Sequence, residues 1–173
     1  MTTAKNIQDR GGSGGAGLLV SILLRFPEVG SVTFDPQSHA LCFTLLLRQR
    51  MALGSFRTLQ NLVLESVEAF SFLQGIEPRL VDVTRTSLQG LTAIEISRDA
   101  ETLTREEISL LIGLMRSNFG DVLVVESDSG LMEEDLIVQE QLIDEALDDL
   151  RETQQQHNLI AYREGGRVLV FNK

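Results

Sequence analysis

Glu140, Asp144 and Asp148 stand four residues apart in a stretch that reads as helix, so their carboxylates share one face. A row of oxygen ligands suits a hard divalent cation, and Mg2+ held there could present a phosphate group to water. The enzyme these residues would make is a Mg2+-dependent phosphohydrolase, with Arg48 or Arg50 clamping the phosphate. Such a site draws a second set of carboxylates from a facing helix, and the long helix expected over 56–73 supplies only Glu65 and Glu68. We therefore assign no catalytic residue, no metal ligand and no cofactor, and read the chain as a binding protein before an enzyme.

Other reactive patterns are incomplete. Gly12, Gly14 and Gly17 match the dinucleotide-binding spacing, and Asp35 follows where a ribose-binding acid would fall, but the polar run 2–10 cannot be the apolar strand that must lead into those glycines. No phosphate-binding G-x-x-x-x-G-K-[ST] loop occurs, and no Ser-His-Asp or Cys-His set with a base and an orienter can be assembled from the sequence. One Cys and two His leave too few ligands for zinc. His39 reads as a turn neighbour, His157 as a cation complementing the end of a helix, and Cys42 as a small hydrophobe in an apolar run.

Arg25, Arg48, Arg50 and Arg57 form the one basic concentration, a candidate grip for an anion or an RNA backbone. There is little aromatic interleaving around Arg48, Arg50 and Arg57 beyond Phe43 and Phe56, and no RNA-binding module signature is present. These arginines are expected to meet acids of the chain itself or of a second copy. A net charge of -10 further opposes nucleic acid and anionic membrane as partners of the whole protein.

That charge is concentrated. Between Glu126 and Glu152 lie eleven acidic residues and one basic one, Arg151, so the stretch carries the whole surplus and the remainder is neutral. Met132, Leu136, Ile143, Ala146, Leu147 and Leu150 recur at helical spacing within it, which predicts an amphipathic helix over about 131–157 with an apolar underside and an acidic exterior. Glu133, Glu134, Glu140, Asp144, Glu145, Asp148 and Asp149 form the candidate partner-binding face. The leading reading is a non-catalytic interaction or regulatory domain, either self-associating as a homo-oligomer or steering a basic partner onto this face. The Mg2+-dependent phosphohydrolase is the second reading, and RNA binding through the arginines the third.

The elements that must position these groups are those of an α+β domain. With 43% hydrophobic residues, 173 residues can fill one core. Residues 1–16 are expected to be a flexible Gly-rich tail and 17–173 a single domain. A short helix over 17–26 precedes strands 31–34 and 40–47, the second apolar enough to be covered on both faces. A long helix ends at Gly75; strands 80–86 and 91–97 follow, then a helix opening at Thr104 with Glu107 completing a capping box and closing at Gly120. Segments 31–75 and 79–120 thus repeat strand-strand-helix, which would fit an internal duplication. An interior strand over 122–125, a loop at 127–130, the acidic helix, and a hairpin across Gly165-Gly166 complete a mixed, mostly antiparallel sheet in the order α-β-β-α-β-β-α-β-α-β-β. One cysteine and no long apolar span point to a cytoplasmic protein.

Overall fold

Side-chain alternation decides which way the sheet faces. The structure, a computed structural model, describes residues 4–6, 14–126 and 131–172. Its elements are β1 (Ala4–Asn6), α1 (Gly15–Arg25), β2 (Ser31–Asp35), β3 (Ala40–Leu47), α2 (Leu53–Gln74), β4 (Val81–Leu88), β5 (Leu91–Asp99), α3 (Arg105–Phe119), α4 (Glu133–Glu152), β6 (Leu159–Glu164) and β7 (Arg167–Asn172). In β3, Leu41, Phe43, Leu45 and Leu47 are buried while Cys42, Thr44 and Leu46 are only half-buried. The apolar run therefore does not mark a strand covered on both faces. One face is packed and the other partly open, the pattern of an antiparallel sheet with helices on a single side.

All neighbouring strands run antiparallel, in the order β1-β7-β6-β2-β3-β5-β4, which makes the α+β architecture fully antiparallel. A row of directly opposed residues crosses six strands: Val170, Ala161, Val32, Phe43, Ile96 and Val83. All six are buried, in one cluster with the inward residues of the four helices. α1 lies over β2, β6 and β7 and against α4, α2 lies over β4, and α3 bridges α2 and α4. β4 is an edge strand, and the Gln60 Nε2 of α2 donates to the Val83 carbonyl at 3.0 Å, occupying part of that edge.

Local chemistry sets the boundaries. Gly75 ends α2 in the left-handed region at φ 68, and Gly165 and Gly166, at φ 57 and 77, make the two-residue turn joining β6 to β7. Asp35 holds the β2–β3 turn by accepting from the Gln37 amide and the Ser38 hydroxyl.

Four further expectations are corrected. Residues 122–125 form no strand: Leu123 makes an isolated bridge with Leu47, because β5 and β2 already occupy most of both edges of β3 and leave space only beside its last residues. α4 ends at Glu152 and not near 157, so His157 lies outside it and Arg151 supplies the cation of its last turn. Ala4–Asn6, within the expected tail, pairs with β7, and α1 begins at Gly15; the rest of the expected tail and the loop 127–130 lie outside the described residues. The capping box is half-made. Thr104 Oγ1 accepts from the Glu107 amide at 3.3 Å, but the Glu107 carboxylate turns inward.

It turns inward to Arg98. That guanidinium has no exposed surface and donates to both Glu107 oxygens, at 2.6 and 2.9 Å, to Thr102 Oγ1 at 3.1 Å, to the Leu80 carbonyl at 3.0 Å, and to Asp99. Burial pushes the Asp99 carboxyl up, but hydrogen bonds from the Thr102 hydroxyl and from the Leu80 and Arg79 amides, with the Arg98 charge, outweigh it and hold Asp99 below the ordinary aspartate range. An unfolded aspartate titrates near pH 3.9, so the stabilisation from ionised Asp99 is complete above about pH 5 and is lost as pH falls through its lower folded value. The expected result is a urea midpoint that drops between about pH 5 and pH 3, with a shallower drop in Asp99→Asn.

Candidate functional site

α4 is held to the body by a narrow stripe. Ile143, Leu147 and Leu150 are buried, Leu136 and Ala146 half-buried, and α1 is the main surface beneath them. Met132, expected in the stripe, is 71% exposed because it precedes the first turn, where its amide donates to Asp135 Oδ2 at 2.9 Å. Glu133, Glu134 and Asp135 in that turn complement the helix dipole. At the far end Arg151 bonds the Ala100 and Leu103 carbonyls and Asp148, stapling the helix to the β5–α3 connection.

The seven acids of the candidate face separate into two groups. Glu140 pairs with Arg25 at 2.8 Å and Arg105 at 3.5 Å, Asp144 with Arg105 at 3.0 Å, and Asp148 with Arg151 at 2.9 Å. Partial burial lowers the Arg105 pKa, but the hydrogen bond and charge of Asp144, with Glu106 and Glu140, outweigh it and raise the pKa above the ordinary arginine value. The row that could have held Mg2+ is therefore faced by guanidinium groups, and among the described residues no group of three or more His, Cys, Asp or Glu could hold a metal ion. Glu133, Glu134, Glu145 and Asp149 are exposed and have no ion-pair partner among the described residues.

Between these unpaired acids lies exposed apolar surface. Positions 134, 138, 142, 145 and 149 share one helix face, with Val138 50% and Leu142 39% exposed at its centre. Ile137, 54% exposed, flanks the other side. The expected amphipathicity is thus incomplete: α4 has a buried stripe, a self-neutralised flank, and an outer face that is both acidic and apolar.

The basic concentration is divided. Arg25 ends α1, sits over the Phe26 ring at 4.9 Å and is taken by Glu140. Arg48 and Arg50 lie in the β3–α2 connection and Arg57 in α2, all exposed. Sequence reasoning missed the Arg98, Asp99 and Glu107 cluster, although Ile94, Ile96 and Arg98 alternate onto one face of β5. It also missed Arg116 on buried Glu28, and Arg163 on the Phe26 and Val29 carbonyls, contacts that link distant segments.

The fold and this surface define an antiparallel α+β protein with helices on one side of the sheet, and no described helix is long and apolar enough to cross a membrane. Comparison with known proteins finds no matching family model, curated relative or solved structure.

Proposed function

We propose that the chain is a non-catalytic docking domain whose outer α4 face takes a basic, amphipathic protein segment. The observation that carries this reading is the juxtaposition of unpaired Glu134, Glu145 and Asp149 with exposed Val138 and Leu142 on one face of a helix anchored by its opposite side. Apolar contact there would contribute affinity, while the surrounding carboxylates raise the encounter rate and select cationic partners. Two copies placed face to face here would set acid against acid, so the surface fits a basic partner and not a second copy.

The test uses a fluorescently labelled amphipathic helical peptide built from leucine and lysine. Glu134→Gln with Glu145→Gln is expected to weaken binding roughly tenfold at low salt, and Val138→Ser with Leu142→Ser by a similar factor. Asp144→Asn with Asp148→Asn removes the same charge from the paired flank and is expected to change little. Equal loss from both acidic pairs, or an affinity indifferent to salt, would reject the assignment.

A further inference from the structure

A second surface carries a different inference. Along α2, Leu53, Arg57, Asn61, Leu64, Glu68 and Phe72 follow one another at spacings of four and three, so they share one face over roughly 28 Å. All six are exposed; Leu53 is 52%, Leu64 37% and Phe72 82% open to solvent. Of the buried residues of the helix, Phe56, Leu59, Val63 and Val67 lie away from this face, and Ser71 is covered at its edge, beside Phe72. Beside this face, between α2 and β4, an open apolar groove of about 430 Å3 is lined by Leu64, Val67, Phe72, Ile76 and Val81.

The order of residue types on the face is symmetric about its middle. Apolar residues stand at the ends, one charge of each sign stands inside them, and Asn61 and Leu64 occupy the centre. Arg57 and Glu68 are eleven residues apart, about 16 Å along the axis, too far to meet within one helix, and neither has an ion-pair partner among the described residues. A copy of α2 laid antiparallel about a two-fold axis between Leu62 and Val63 removes the difficulty. Arg57 then faces the partner's Glu68, Leu53 faces the partner's Phe72, and Asn61 faces the partner's Leu64. The symmetry repeats each contact, so one face makes two ion pairs and covers both exposed apolar ends, as an isologous interface requires. The helix dipoles also oppose one another favourably. Leu73, 80% exposed, lies off this face and takes no part.

From this symmetry of charge and apolarity we infer that the protein forms a two-fold homodimer through α2, leaving the acidic exterior of α4 free on each copy. The partner's Leu53 would lie at the Phe72 end, where the groove opens.

Sedimentation velocity on the full chain over a concentration series tests this, with circular dichroism verifying that each variant is folded. The native chain is expected to show a monomer–dimer equilibrium. Arg57→Glu and Glu68→Arg each set like charges against one another twice per interface, and each is expected to weaken self-association on the order of a hundredfold. Mixing the two variants in equal amounts restores opposite signs at both contacts, so dimers should return in the mixture, as they should when both substitutions share one chain. Phe72→Asp removes an apolar end and should leave a folded monomer. A native chain that stays monomeric, single reversals that leave the dimer unchanged, or a mixture that fails to re-form it would each overturn the assignment.

Discussion

Arg98→Met is expected to lower the free energy of unfolding by about 3–5 kcal/mol, because removing one partner of a buried ion cluster leaves its other charges without compensation. Arg98 is fully enclosed, and Glu107 and Asp99, 1% and 4% exposed, both depend on it. Against a total of about 5–15 kcal/mol for an ordinary domain, that loss takes much of the stability. Arg98→Met combined with Glu107→Met is expected to recover a good part of it, since an apolar pair of similar volume carries no desolvation penalty. Urea denaturation of the three proteins checks this. A loss below about 1 kcal/mol in Arg98→Met would show that the cluster contributes little.

Ile143→Ala is expected to remove about 2–4 kcal/mol, through lost burial and the space left between α4 and α1. The loss should be felt first in α4 itself. Few buried side chains hold that helix: Ile143, Leu147 and Leu150 are inside, while Ile137, Val138 and Leu142 face outward. Amide hydrogen exchange should therefore accelerate over 133–152 more than over β3 and β5, and the affinity of the α4 face for the leucine–lysine peptide should fall with it. Uniform acceleration across the protein would mean that α4 opens only with the whole fold.

The elements that are legible in the sequence are those whose determinants are local. The apolar period of α2 and its Gly75 stop, the Thr104 start of α3, and the Gly165-Gly166 turn each lie within a few residues of what they specify, and each forms where expected. Pairing between distant segments is not local. Val122 to Val125 has strand-forming composition, yet whether it becomes a strand depends on the edges left vacant by β2 and β5. The acids of α4 are plain in the sequence, but their division is not: Glu140 and Asp144 are neutralised by Arg25 and Arg105, which arrive from α1 and α3. Arg98 was within reach, because alternation from Ile94 and Ile96 puts it on the packed face of β5, and a charge there requires enclosed partners.

The place of β2 also constrains when the protein can finish folding. One of its edges pairs with β3 a few residues later, whereas the other waits for β6, where Ser31 meets Tyr162 and Phe34 meets Leu159. During synthesis on a ribosome, the first hairpin, its neighbour β4–β5 and their helices can assemble while β2 still presents an open row of amides and carbonyls. Closure comes only once β6 has emerged, so the nascent chain carries an adhesive strand edge from the synthesis of β2 until that of β6, and shielding that edge falls to chaperones or to speed.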